Sequence, residues 1–272
     1  MAQTNAVIPR HGLGTYGRTG AEGTIAMLKA IEIGYRHLDT AQTYNTEAAV
    51  GQAVRRSSLP RSEFFITTKV ADDNLDRAKF MPSVEKSLAT LALGPVDLLL
   101  IHWPSPNDLV PIEHYIEALA RAQQLGHARL IGVSNFTISH LERTMALLGK
   151  GTIATNQVEI HPYLQAPKLC AYAKRTGLML TAYQPLAQGR VSSDPVLLSI
   201  AERLGSTPAA VALAFLMAEG HVVIPASSSE PHLRANFPAD LVHLSADDML
   251  AIRKLERGLR IINPSISPRW DD

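Results

Sequence analysis

Cysteine is almost absent from this chain of 272 residues, where Cys170 stands alone. One thiol cannot close an internal disulfide or build a cysteine-based zinc cluster. The count suits a reducing cytoplasm. An excess of one charge is also lacking: 26 lysines and arginines face 25 acidic residues, a formal net charge of +1. A nucleic-acid binder needs surplus cations for its phosphate contacts, so no nucleic-acid partner is expected. No uninterrupted apolar run reaches the ~18 residues of a membrane span, so no membrane partner is expected either. The opening MAQTNAVIPRHG has no basic region followed by an apolar core, so no secretory signal is expected. Repeats, linkers and low-complexity tracts are missing, and 46% hydrophobic residues exclude a disordered composition. H-E-x-x-H and G-x-S-x-G are absent too, so neither a resident metal nor serine acyl transfer is expected. Nothing demands a dimer, and the expectation is a cytoplasmic monomer.

What the sequence does hold is an alternation. Residues 35–39, 64–69, 96–102, 129–134, 153–157, 178–183 and 222–225 read as strands. Several are apolar throughout, as strands covered on both faces are. Residues 241–243 read as a short eighth strand. Helical spacing runs through 47–56, 82–93, 112–125, 137–148, 166–176, 195–204, 207–219 and 246–257. Pro82 stands where a first helical residue is expected, Thr137 where a cap is, and Gly177 where a left-handed stop is. Strand–helix alternation implies a mostly parallel sheet. Eight such units suit a single α/β domain over residues 1–272, a closed (β/α)8 TIM barrel.

One motif points elsewhere. Gly12-Leu-Gly14-Thr-Tyr-Gly17 matches G-x-G-x-x-G, and Asp39 follows Gly17 by 22 residues. That is close to the dinucleotide fingerprint of a Rossmann fold. The context fails upstream, because only 11 residues precede Gly12 and Pro9 interrupts them. A central first strand has no room there and does not tolerate proline. The segment reads instead as a glycine-rich turn, or as backbone that approaches a ligand closely.

The strand ends carry the functional signal. They run into Asp39-Thr40-Ala41 with Tyr44 beyond, Thr67-Thr68-Lys69, His102-Trp103, Ser134-Asn135, Asn156-Gln157, Tyr183-Gln184 and Ala226-Ser227-Ser228-Ser229. A lone lysine after a strand is usually a solvated loop residue, and a lone histidine usually a hydrogen-bonded packing residue. In a barrel, however, all these ends converge on one face. That convergence would gather an anion, a phenol, a cation and an imidazole.

The segments GYRHLDTAQTYNTEAAVGQA (34–53), ITTK (66–69), VDLLLIHWPSP (96–106), IGVSNF (131–136), NQVEIHPY (156–163), TAYQPL (181–186) and ANF (235–237) resemble, in order, those of the aldo-keto reductase family. The likeness runs from Gly12 to the C-terminus. Within the family it is strongest toward the bacterial 2,5-diketo-D-gluconate reductases of the B type. It implies a barrel that binds an extended nicotinamide cofactor without a Rossmann domain, and a catalytic tetrad of Asp39, Tyr44, Lys69 and His102. It further implies that Ser134, Asn135 and Gln157 hold the carboxamide and that Tyr183 stacks on the nicotinamide. Ser227 would contact the adenosine phosphate and Asn236 the adenine. The substrate would be a small carbonyl compound such as 2,5-diketo-D-gluconate or methylglyoxal, with Trp103 and Trp270 as candidates to line its pocket.

The chemistry agrees. Carbonyl reduction needs a hydride, which no side chain supplies, so a cofactor must. It also needs a proton donor, and Tyr44 is the best available, although a free phenol has a pKa of ~10. Lys69 is expected to strengthen that acid. A drop of ~3 units is worth ~4 kcal/mol, and opposite charges ~4 Å apart supply that at an effective dielectric of ~20. Asp39 would hold Lys69 charged, and His102 would orient the carbonyl oxygen.

Some positions depart from the family's pattern. Lysine is usual at 226 and arginine at 232, where both neutralise the 2′-phosphate of NADPH, whereas this chain has Ala226 and His232. Arg234 is the nearest replacement in sequence. NADPH is the expected cofactor and NADH stays open. Gln184 replaces the usual serine, and Val70-Ala71 replaces an apolar–tryptophan pair. Two other functions compete: a Schiff-base aldolase with Lys69 as nucleophile, and a non-catalytic NADPH-binding module on the same fold.

Overall fold

A computed structural model describes residues 8–237 and 242–271. Among them, eight strands form one sheet in sequence order: β1 (Gly12–Gly14), β2 (His37–Asp39), β3 (Phe65–Val70), β4 (Val96–Ile101), β5 (Ala128–Ser134), β6 (Thr155–Glu159), β7 (Met179–Tyr183) and β8 (Val222–Val223). Each neighbouring pair is parallel. The last strand returns to the first: Val223 N donates to Arg10 O at 2.9 Å and Gly14 N to Pro225 O at 3.0 Å. The result is the expected (β/α)8 barrel.

Around it lie α1 (Gly20–Ile33), α2 (Glu47–Arg56), α3 (Arg77–Leu91), α4 (Ile112–Gln124), α5 (Ile138–Leu148), α6 (Pro167–Thr176), α7 (Pro195–Arg203), α8 (Pro208–Ala218), α9 (Glu230–Asn236) and α10 (Ala246–Arg253). Thr137 caps α5 by accepting from His140 N, as its position in the sequence suggests. Three readings need correction. The glycine-rich segment turns only at Tyr16–Gly17, and Gly12–Gly14 are strand β1. Residues 242 and 243 form no strand, and Leu241 lies outside the described residues. Helix α3 begins five residues before Pro82, where Asp76 accepts from Ala78 N at 2.8 Å.

Strand alternation explains where the polar groups go. Ile66, Leu99, Ile101 and Ile131 face the helices in the main core. Phe65, Leu98, Leu100 and Val222 point inward with Ile8 and fill the N-terminal end of the barrel. One layer up, the His37 ring lies 3.1 Å from Thr67 Oγ1, and the Thr155 and Thr181 hydroxyls meet at 2.9 Å. The same two-residue period then delivers Asp39, Lys69 and Gln157 to the C-terminal end. The barrel is packed below and chemical above. Gly12 belongs to this packing: a Cβ there would lie 2.7 Å from His37 Nδ1.

Candidate active site

A cavity of about 820 Å³ opens at the C-terminal end of the strands. Its size falls within the ~300–1,000 Å³ of small-molecule and cofactor sites. Asp39 lines the cavity, and behind Asp39 the Lys69 ammonium is fully buried, paired with Asp39 Oδ1 and donating to Thr40 O at 2.8 Å. Gln157 Nε2 donates to the other Asp39 oxygen at 2.8 Å. Both carboxylate oxygens are therefore satisfied, which a buried charge requires. Lys69 Nζ sits 4.9 Å from the Tyr44 ring centroid. The Tyr44 hydroxyl lies 3.3 Å from His102 Nε2, and His102 Nδ1 lies 3.3 Å from Thr43 Oγ1. All four residues predicted as a tetrad thus meet at one rim, although three different strands and a turn supply them.

Local sequence fixes Tyr44. It ends a single 3₁₀ turn (Gln42–Tyr44), followed by Asn45 in the left-handed region at φ 56°. Beneath it the hydroxyls of Thr15, Thr40 and Thr46 form a chain with steps of 2.9 and 2.7 Å. Gln42 braces the other side, accepting from Ala71 N and Asn74 Nδ2, both at 2.9 Å.

Burial dominates the titration of these groups. It pulls His102 down to about 3, and the Lys69 charge pulls the same way. The imidazole is therefore neutral near pH 7. Burial also pulls Lys69 down, against the opposing pull of Asp39. Burial pushes the Tyr44 phenol well above its ordinary value, and Asp39 and then Tyr16 push it further. An ammonium tied to a carboxylate offers the phenol a dipole, not a free charge. Burial thus favours the protonated phenol, the form a proton donor must start from.

The groups predicted to hold a nicotinamide form a second cluster. Asn135, at φ 61°, donates from Nδ2 to His102 O at 2.9 Å and to Ser134 Oγ at 3.1 Å. Its Oδ1 accepts from the Tyr183 hydroxyl at 2.8 Å. Ser134 Oγ donates to Gln157 O at 2.8 Å. Asn135 thereby ties the tetrad backbone to Tyr183. Ser134, Asn135, Gln157 and Tyr183 all line the cavity.

The far end is bounded by Ala226, Ser227, His232 and Asn236. Arg234 is not brought there: its guanidinium turns along α9 to Glu230 at 2.8 Å and is exposed. Among the described residues, no lysine or arginine lines the cavity. Trp103 lines it, but Trp270 does not; Trp270 packs edge-on against Trp103 at 6.1 Å and donates to Asn263 Oδ1 at 2.9 Å. Its effect on the cavity is through Trp103.

Tyr16, Ile262 and Pro264 line the cavity without having been predicted. Tyr16 is 66% exposed, with its ring 5.2 Å from that of Tyr44. Its signal was the glycine motif that contains it. Ile262 and Pro264 arrive from a tail with no periodic pattern. Among the described residues, no group of three or more His, Cys, Asp or Glu could hold a metal.

Known proteins place this arrangement. Residues 12–257 match the Aldo/keto reductase family. The chain is 46% identical over 266 residues to the methylglyoxal reductase DkgB of Escherichia coli O157:H7, covering 97% of this chain and 99% of that protein. It is 36% identical over 264 residues to the methylglyoxal reductase DkgA of Escherichia coli strain K12, covering 95% and 94%. A crystal structure provisionally named 2,5-diketo-D-gluconic acid reductase B superposes with a TM-score of 0.93 at 42% identity, covering 97% of this chain and 94% of that one. With the barrel fold and nearly the whole length matched, the chain belongs to the aldo-keto reductase family.

Proposed function

We propose that this protein reduces the carbonyl group of small aldehydes and ketones, methylglyoxal and 2,5-diketo-D-gluconate among them, working as a single cytoplasmic monomer. Those two substrates come from the names of its relatives. The observation that carries the reading is the juxtaposition of Tyr44 with His102 and Lys69 at one cavity.

The cavity fits a nicotinamide dinucleotide at its catalytic end. The amide and hydroxyl groups of Ser134, Asn135 and Gln157 are buried yet border the cavity, which matches a carboxamide that both donates and accepts. The Tyr183 ring, anchored through its hydroxyl, offers a flat face. Bound there, the reduced cofactor supplies the hydride. The chain's own residues then handle the oxygen. With Thr43 donating to His102 Nδ1, the proton of His102 stays on Nε2 and points toward the Tyr44 oxygen. A carbonyl oxygen held between these two groups accepts hydrogen bonds from both. Tyr44 gives up its proton as negative charge develops on that oxygen. Lys69, whose ammonium lies 4.9 Å from the centre of the Tyr44 ring, then steadies the phenolate, with Asp39 opposing part of that effect. Trp103 and Tyr16 wall the substrate side.

NADPH is the cofactor favoured by the family likeness. The far end supports acceptance of NADH as well, because among the described residues no lysine or arginine lines it to answer a 2′-phosphate, and each charge-assisted hydrogen bond is worth ~1.5–3 kcal/mol. Both cofactors are therefore expected to bind within about tenfold of each other. The aldolase reading gains nothing from the site: a Schiff-base lysine needs a free, neutral amine, and Lys69 is buried and paired. A complete tetrad likewise leaves no reason for a non-catalytic module. Loss of nicotinamide absorbance, followed in parallel with NADPH and NADH across aldehydes, methylglyoxal and a diketo acid, tests the proposal. No turnover of any carbonyl with either cofactor would refute it.

A further inference from the structure

One buried carboxylate takes no part in the chemistry above. Glu159 ends β6, and its side chain has no solvent exposure. Its three partners are all specific. His161 Nε2 lies 3.1 Å from Oε1, and the tail backbone N–H groups of Ile261 and Ile262 donate to Oε1 and Oε2 at 2.7 and 2.8 Å. Tyr163 N donates to His161 Nδ1 at 3.2 Å, which leaves the Nε2 proton to face Glu159. A charged side chain has been placed in the core to capture two consecutive amides from a segment more than 100 residues away. Charge-assisted bonds of this kind are the strong ones.

The captured segment is a wall of the cavity. Ile262 and Pro264 line it. Beyond them Trp270 rests on Trp103, with the Arg260 guanidinium 3.9 Å from the Trp270 ring. Asp271 Oδ2 accepts from Ile138 N at 2.8 Å at the start of α5. The tail therefore crosses the rim from the end of β6 to α5, held at both ends. The β6 end is held by a carboxylate that touches neither the tetrad nor the cofactor cluster by hydrogen bond.

We propose that Glu159 is a positioning residue for substrate specificity: it clamps the backbone of Ile261 and Ile262 so that Ile262 and Pro264 stand as the substrate-side wall. The proposal rests on the carbonyl-reductase reading for its kinetic consequence, but not for its structural one. Weakening the clamp lets the wall move while the tetrad stays in place. The effect belongs in KM for the carbonyl, with kcat little changed.

The test is Glu159→Gln in the full chain. The amide keeps the shape but turns an N–H group toward donors. The expected result is a carbonyl KM about tenfold higher, kcat within about twofold, an unchanged Kd for the nicotinamide cofactor by fluorescence titration, and faster amide exchange at Ile261 and Ile262. A second variant, Ile262→Ala with Pro264→Ala, removes the wall without touching β6 and should raise KM similarly. Combining it with Glu159→Gln should add little, because both act on one element. A purely structural Glu159 would instead lower kcat and KM effects would add fully; either result overturns the proposal, as does unchanged exchange at residues 261 and 262. Exchange needs no turnover. If no carbonyl is reduced by the unaltered protein, the functional reading falls. Faster exchange in Glu159→Gln would still uphold the clamp, and unchanged exchange would still sink it.

Discussion

Replacing Lys69 by methionine tests whether the buried ion pair is mutual support or decoration. Lys69 and Asp39 are both essentially without solvent exposure, and the ammonium also holds Thr40 O. Removing one partner of such a pair leaves an uncompensated buried charge and costs ~3–5 kcal/mol. That is a large share of the ~5–15 kcal/mol that keeps a domain folded. Gln157 still donates to Asp39, which softens the loss without cancelling it. Turnover has a separate cost. Losing a cation beside the phenolate, an effect on the order of 3 kcal/mol at most at an effective dielectric of ~20, lowers kcat by up to about 10²-fold. The two costs separate in Lys69→Met/Asp39→Asn, which has no lone charge. Urea denaturation should show most of the stability recovered in the double variant, while kcat stays low. A single variant as stable as the parent, or a double variant no more stable than the single, would refute the reasoning.

Three further outcomes follow from particular contacts. Burial holds His221 down to about 4. Its folded pKa thus lies below the ~6.5 of the unfolded chain, so the unfolded chain takes up the proton first and stability falls as pH drops through that window. At pH 5 this amounts to about 2 kcal/mol, and His221→Asn should flatten the acid limb of a urea-midpoint profile between pH 7 and pH 5. Gly12→Ala forces a methyl against the buried His37 ring at 2.7–2.8 Å and should cost about 1–3 kcal/mol by denaturation. Ala226→Lys combined with His232→Arg should tighten NADPH by about tenfold or more in fluorescence titrations and leave NADH nearly unchanged; equal tightening of both would place these positions away from the 2′-phosphate.

The sequence was most legible where burial is two-sided. Residues 96–102 and 64–69 announce strands because apolar residues fill both faces of each run, and β3 and β4 are indeed buried throughout. Strand ends in a barrel have one destination, which made the convergence of Asp39, Lys69 and His102 legible, whereas their grouping with Tyr44 as a tetrad came from the family resemblance. Strand β1 was not legible. Two of its three residues are glycines, chosen because His37 and the Ile224 carbonyl leave no space for a Cβ, so no hydrophobic period can appear. Pro82 misled because proline suits a first helical turn, whereas Asp76 caps the helix earlier. Trp270 stands edge-on to Trp103, and Trp103 is the one of the two that lines the cavity. The tail contacts of Glu159 depend on a segment with no periodicity, and only geometry exposes them.

The most direct test of the account is Tyr44→Phe, which removes one oxygen and leaves the cavity shape intact. The account predicts that carbonyl turnover falls by about 10²–10⁴-fold, the range of a positioned proton donor, while nicotinamide cofactor binding by fluorescence titration stays within about twofold. Near-parental turnover in that variant would contradict it.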